Sequence, residues 1–316
     1  MTTMRALTLT NARPTLVDVP VPIPRPGEVL VEVLFSAVNG MDIEIQNGGW
    51  KPQVRCWRQT GPVVTGLEFS GIARSDGARI RSGQRVIGYS HVLHGPRTHA
   101  EFVSMPERDL QTLPAHLPDE DAAALIVGGL TALDILERLR PLRAGERCLV
   151  AGAAGGVGAS TVQLAHAQGA EVTAVAAPTH AEWLRTLGAH HVRDGRDGRW
   201  WRDGDRFNLI VDAPGASRFA DAVPHLAPRG TYVTSNPQRD MAGFVRATFS
   251  SRRSAWLLLL RSTSAGLEQL IHRASSGELR PVIDSIYPLD RAAGAFERAA
   301  TRGKRGRVLL NIGARP

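Results

Sequence analysis

The stretch Arg147-Cys-Leu-Val-Ala-Gly152-Ala-Ala-Gly155-Gly-Val-Gly158-Ala-Ser160 decides the reading of the chain. Its apolar run from Leu149 to Ala151 has the composition of a buried strand, and Gly152, Gly155, Gly156 and Gly158 supply a turn into a helix. Val157, Thr161, Leu164 and Ala165 then fall on one helical face, and Gly169 stands where that helix should stop. Such a turn offers backbone N–H groups and the positive end of a helix to a pyrophosphate, and a side chain there would hold the phosphates away. The pattern is Ala153-x-Gly155-x-x-Gly158, with alanine in the first glycine place. Glycine-rich strand ends also arise for packing alone, but the strand before and the helix after favour dinucleotide binding.

Working outward toward the C-terminus, apolar strands at residues 171–176, 191–192, 208–211 and 231–234 alternate with helical stretches through Trp183, Leu184 and Leu187 and from Ser217 to Leu226. Alternation of this kind predicts an α/β domain with a doubly wound parallel sheet. Residues 256–260 fit either a sheet edge against a second subunit or an inward-facing helix segment. The N-terminal third reads differently. Short strands at 4–9, 16–19, 29–35, 63–71, 86–89 and 100–103 are separated by turns and by Pro20, Pro22, Pro24 and Pro26, which is a small-barrel pattern. A helix from about Asp121 toward Pro141 marks the crossover into the glycine-turn domain.

The 316 residues are enough for two domains with a substantial core. Two cysteines, Cys56 and Cys148, exclude a disulfide framework and a four-cysteine zinc lobe. Met1 to Leu9 lacks the features of a signal peptide and no run approaches a membrane span, so the expected compartment is the cytoplasm. The formal charge of +8 raises the question of nucleic acid. The arginines are dispersed, only residues 302–307 form a tight basic cluster, and no aromatic-basic RNA motif is present, so the charge reads as a solvated surface.

Pro26-Gly-Glu-Val-Leu-Val, Val38-Asn39-x-x-Asp42, Gly66-Leu-Glu68-Phe-x-Gly71, Ala122-Ala-Ala-x-x-Val-x-Gly129-Leu-Thr-Ala132, the glycine turn, Leu187-Gly-Ala189 and Arg280-Pro-Val-Ile-Asp284 follow one another along essentially the whole chain. Together they give it a resemblance to the medium-chain dehydrogenase/reductases, in their zinc-independent quinone oxidoreductase and enoyl reductase branch. It implies a mainly β, GroES-like catalytic domain of residues 1–122 and 262–316 around a Rossmann domain of residues 123–261. It also implies reduction of an activated C=C bond or a quinone by NADPH, in settings that include polyketide tailoring, by a homodimer acting on a small molecule. Zinc-dependent relatives carry a cysteine near Asn39 and a histidine just before Glu68, where this chain has Val38-Asn39 and Leu67; neither Val nor Leu supplies a metal-binding electron pair, so no metal is expected. His91, His94 and His99 come without a thiol and read as local polarity. A non-redox enzyme on the same scaffold, or a cofactor-binding structural or RNA-binding protein without turnover, stays open because function lives in the site.

The same resemblance places Thr131, Gly155, Gly156, Val157, Gly158, Thr179, His180, Asp212, Ser235 and Asn236 at the cofactor. After the second strand the chain reads Ala176-Ala177-Pro178-Thr179-His180, with no acid to hold an adenosine 2′-hydroxyl. Thr179 and His180, with Arg185 or Arg193, are then candidates to receive a 2′-phosphate, which favours NADPH. Asn39 is the first candidate for the polar group at the nicotinamide, although an asparagine there also suits a turn cap. Asp42 accompanies it in the motif. Related enoyl reductases place a proton-donating tyrosine after that motif; here Trp50 stands nearby, leaving Tyr89 or water as donor. Trp50 and Trp57 suit a flat aromatic substrate, or simply a core.

Overall fold

The computed structural model describes residues 2–49, 63–91, 94–198, 200–236, 240–256 and 263–313. The chain divides into two compact units, Met1–Val127 with Arg261–Ser275 and Pro281–Pro316, and Gly128–Leu260 with Ser276–Arg280. The expected partition at 122 and 262 had assigned residues 276–280 to the other unit. They group with the glycine turn because the Gln163 carboxamide bonds both backbone groups of Arg280, accepting from its N–H at 2.8 Å and donating to its C=O at 3.1 Å.

In the first unit β1 (Thr3–Thr10) and β2 (Arg13–Pro20) form a hairpin. Its two-residue loop, Asn11-Ala12, has positive φ at both positions, the twist that a tight hairpin requires. Then come β3 (Glu28–Val38), α1 (Gly40–Gln46), β4 (Glu68–Ala73), β5 (Arg85–Tyr89), β6 (Phe102–Pro106) and β7 (Leu110–Thr112). Val29, Val31 and Val33 alternate inward along β3 and join Phe69, Val86, Met105 and Leu110 in the main core of the unit. The helix α2 (Asp119–Leu133) leads into the second unit.

That unit holds β8 (Arg147–Ala151), α3 (Gly156–Ala167), β9 (Glu171–Ala176), α4 (Ala181–Thr186), β10 (His191–Asp194), β11 (Phe207–Asp212), α5 (Phe219–Ala222), β12 (Leu226–Thr234), α6 (Met241–Thr248) and β13 (Arg253–Trp256). The six strands are parallel in the order β10-β9-β8-β11-β12-β13, the doubly wound arrangement expected. Leu149, Val150 and Ala151 are buried on both faces, as a central parallel strand demands. The helix expected from Ser217 to Leu226 is shorter: Pro224 cannot continue it, and a 3-10 turn, Val223–His225, takes its place. Trp256 ends an edge strand, and residues 257–260 lie outside the described residues.

The chain then completes the first unit with α7 (Ser264–Ser275), β14 (Ile283–Pro288), α8 (Ala292–Ala300) and β15 (Arg307–Asn311), so that the larger sheet runs β14-β15-β3-β4-β5-β7, with β6 also paired to β3. Part of the basic cluster turns inward here. Lys304 caps α8 through the carbonyl of Ala299, and Arg307 is buried against Glu68. No described helix is long and apolar enough to cross a membrane.

Glu68 ties three segments of this unit together. Its Oε1 accepts from Arg307 Nη2 and its Oε2 from the backbone N–H of Val127, with Glu68 itself fully buried. Burial pulls the Arg307 guanidinium down to about 10, against the charge of Asp42, which favours its protonated form. Removing one partner of such a pair strands the other charge. Glu68→Leu should therefore cost about 3–5 kcal/mol in urea unfolding. Glu68→Leu/Arg307→Met should recover part of that loss; a single variant within 1 kcal/mol (about one exposed pair's worth) of the parent would contradict the pairing.

Candidate active site

The glycine turn leaves β8 at Gly152, whose φ of +68° favours glycine. The Gly155 N–H bonds back to Gly152 O at 3.0 Å, and Gly155 becomes the N-cap of α3 with no side chain capping the helix. First-turn N–H groups of a helix have no intrahelical partner and so stand available to an anion. The two flanking glycines have different work. A Cβ on Gly158 would lie 2.2 Å from Gly152 O and 2.7 Å from Ala153 Cα, so that residue sets the packing of helix on turn. A Cβ on Gly155 would meet only Gly152 O, at 3.4 Å, so the protein does not fill the space beside it. That room, next to helix-end N–H groups that no side chain caps, fits a pyrophosphate. Thr131, from α2, is buried, and Gly128 in the same helix would clash with Gly156 O at 2.8 Å if it bore a Cβ.

Two later loops belong to the same unit. Asp212 ends β11 fully buried, and its carboxylate accepts from Ala216 N (3.0 Å), Ser217 N (2.7 Å), Ser217 Oγ (2.8 Å) and Tyr232 OH (2.9 Å). It was expected at the cofactor, but its oxygens are occupied in shaping the 212–217 turn. Ser235 is exposed and donates to Ala213 O, while a Cβ on Gly215 would lie 2.3 Å from Asn236 Cβ. Gly215 thus lets the two strand-end loops touch.

In the first unit the motif Asn39-x-x-Asp42 forms a capping box at the start of α1. Asn39 Oδ1 accepts from Met41 N at 3.1 Å, and Asp42 Oδ2 accepts from Asn39 N at 2.9 Å. Because a backbone N–H can only donate, the Asn39 oxygen is fixed toward Met41 and the amide nitrogen toward the other side. That Nδ2 is buried without a hydrogen-bond partner among the described residues. A buried donor left unmade costs about 1–3 kcal/mol, so an arriving acceptor oxygen gains from it. Asn39 therefore caps a helix and presents a free donor at once.

Residues 25–115 match the family model of the alcohol dehydrogenase GroES-like domain, and residues 187–310 that of a zinc-binding dehydrogenase. The chain is 30% identical over 315 residues to the quinone oxidoreductase of Mus musculus, covering 93% of this chain and 92% of that protein. The chloroplast envelope quinone oxidoreductase homolog of Arabidopsis thaliana is 28% identical over 308 residues, at 93% and 92% coverage. Among solved structures, the quinone oxidoreductase from Coxiella burnetii matches with a TM-score of 0.89 at 25% identity, over 98% of this chain and 100% of that one. A mycobacterial protein complexed with NADPH matches with a TM-score of 0.81, also at 25% identity, over 98% and 100%. The chain belongs to the quinone oxidoreductase family of medium-chain dehydrogenase/reductases. It is an oxidoreductase of the pyridine-nucleotide-dependent kind.

Within that family the remaining candidates sort by what they touch. Asp42, expected to be catalytic, is fully buried, with Oδ2 on Asn39 N and Oδ1 on Gly66 N at 2.9 Å. It braces Asn39 from within the protein. Tyr89 is 3% exposed, and burial pushes its phenol well above the ordinary value. A weaker acid whose phenolate would be desolvated is poorly suited to give up a proton, and Tyr89 packs among the buried residues of the unit. His180 is buried beside Trp183, ring centroids 6.1 Å apart, whereas Thr179 is exposed. Arg193 is held by Asp205 and lies over the Phe207 ring; Arg185 stays exposed on α4. Trp50 and Trp57 lie outside the described residues.

The residues at the family's zinc positions are not metal ligands in this chain. Val38 and Leu67 are buried apolar residues, and among the described residues no three His, Cys, Asp or Glu side chains gather. His99 uses both ring nitrogens within the protein, on Thr65 and Ala37. That histidine, together with Thr65 and Gly66, was missed from sequence as part of the Asn39 surroundings. The available signal was the glycine of Thr65-Gly66-Leu67-Glu68, which has a φ of +88°.

The two glycines give separable outcomes. Gly158→Val should lower the melting temperature sharply, an overpacking penalty of about 1–3 kcal/mol or more. Gly155→Val should leave melting near the parent yet weaken nucleotide binding by more than about tenfold, or ~1.4 kcal/mol. Unchanged NADPH affinity in folded Gly155→Val would make the turn purely structural.

Proposed function

We propose that this quinone oxidoreductase relative reduces a quinone, or the activated C=C bond of an enone or enoyl thioester, with NADPH and without zinc. The observation that carries the proposal is the buried, unpartnered Nδ2 of Asn39, held in place by a capping box. In that role Asn39 donates a hydrogen bond to the acceptor's carbonyl oxygen, where negative charge grows as hydride adds. NADPH, when bound, supplies the hydride; the α3 N-terminus and Gly155 hold its pyrophosphate. The second hydrogen arrives as a proton from water, since Tyr89 is buried with its phenol pushed up. The working unit in this reading is a homodimer, for which the edge position of β13 supplies a pairing surface.

NADPH is favoured over NADH because β9 ends in Ala176-Ala177-Pro178, with no carboxylate to repel a 2′-phosphate. The mycobacterial relative complexed with NADPH supports the same choice. Arg185, exposed one turn into α4, is the remaining cation on that segment.

The reading is tested by an NADPH-oxidation screen over quinones, enones and enoyl thioesters, with product mass measured. A product heavier by two hydrogens, formed with stoichiometric NADPH loss, is expected. NADPH binding with no oxidation by any acceptor, or conversion without NADPH loss, would overturn it. Elemental analysis should find no stoichiometric zinc, and prolonged chelation should leave turnover intact. NADPH should bind more tightly than NADH, and Ala177→Asp should reverse the order at a cost to NADPH of about 1.5–3 kcal/mol. Added salt should weaken NADPH more than NADH; equal affinities at low ionic strength would contradict the cofactor assignment.

A further inference from the structure

Under Asn39 lies a fully buried imidazole with no part in the scheme so far. His99 Nε2 is 3.1 Å from Ala37 O, and a carbonyl only accepts, so Nε2 carries the proton. Nδ1 is then the acceptor for the Thr65 hydroxyl, 2.8 Å away. Burial, the larger influence, lowers the basicity of the ring, while the charge of Asp42 opposes it. Burial thus favours the neutral ring, and of its two tautomers only the Nε2–H form can donate to Ala37 O.

The ring also supports the far side of the Asp42 clasp. Gly66 rests on it so closely that a Cβ would lie 2.5 Å from His99 Cδ2, and the Gly66 N–H is the donor to Asp42 Oδ1. The other Asp42 oxygen holds Asn39 N. His99 therefore touches Ala37, two residues before Asn39, and Gly66, one hydrogen bond from Asp42. Its opposite edge packs on Phe296 of α8, with ring centroids 6.0 Å apart, so it has a firm backing.

We infer that His99 is a positioning residue for the reduction: its Nε2–H tautomer fixes the end of β3 and the Thr65-Gly66 turn so that the Asn39 carboxamide is aimed at the acceptor. The inference rests on Asn39 being the donor. It differs from a purely structural role because its effect on turnover passes through one side chain.

A double-mutant cycle on the full chain tests this, with NADPH and 1,4-benzoquinone as substrates and with NADPH affinity measured separately. Asn39→Ser keeps a helix cap and removes the donor; His99→Phe keeps ring volume and removes both hydrogen bonds. His99→Phe should lower kcat by about 10- to 100-fold, the cost of a misplacement near 1 Å. Its NADPH affinity should stay within about twofold, and in the Asn39→Ser background it should change kcat by no more than about twofold. Independent, multiplicative losses, or an unchanged kcat in His99→Phe, would overturn the inference. Should His99→Phe fail to fold, Thr65→Val removes the partner of Nδ1 and enters the same cycle under the same criterion. An unchanged kcat in Asn39→Ser alone would instead overturn the role of Asn39, so the two failures are distinct.

Discussion

Two backbone N–H groups from segments 27 residues apart, those of Asn39 and Gly66, converge on the buried carboxylate of Asp42 at 2.9 Å each. A carboxylate at a helix N-terminus gains from the helix end and from charge-assisted hydrogen bonds, which together offset its removal from water. The geometry leaves Asn39 no freedom to turn. Its oxygen is committed to α1, so its amide nitrogen becomes a directed donor. Gly66 must adopt a φ of +88° to reach Asp42, which only glycine does without strain, and the His99 ring excludes any side chain there. The polar group proposed to meet the substrate is thus a by-product of how one strand hands over to one helix.

The nucleotide-binding unit uses a different constraint. Its sheet buries β8 on both faces, and Gly158 lets α3 sit directly on the turn that follows. Asp212 and Tyr232 lock the next loop, with burial and the Asp212 charge keeping the Tyr232 phenol protonated. Cys148, on β8, has its thiol pushed up to about 12 by burial and is chemically quiet. What remains unfilled by protein is the space beside Gly155 and the bare end of α3.

Much of the fold was legible from sequence because its signals are local. Alternation of strand and helix, the glycine turn and the valine periodicity of β3 are all read over a few residues. Individual roles were less legible because they depend on where distant side chains meet. Asp42 was grouped with Asn39 as catalytic, yet a capping box and a reacting carboxylate have the same residue spacing. Tyr89 was considered for its hydroxyl, but its burial depends on β4 and β5 coming together. His180 and Arg193 lay at the right distance after the second strand, yet the packing of Trp183 and the charge of Asp205 draw them inward. His99 carries no spacing signal toward residue 39 at all; only the folded sheet brings it there.

The central claim is that Asn39 holds an amide donor in readiness for an acceptor oxygen. Its most direct measurement is the side-chain amide resonance of Asn39 in asparagine-labelled protein, assigned with Asn39→Ser. The signal is followed on saturation with NADP⁺ and then with 1,4-benzoquinone, a pair that holds no hydride to transfer. A downfield shift and slowed solvent exchange of one Asn39 amide proton are expected when the oxygen ligand joins the nucleotide. An Asn39 amide that does not respond, while resonances of Gly155 and the start of α3 do, would contradict it.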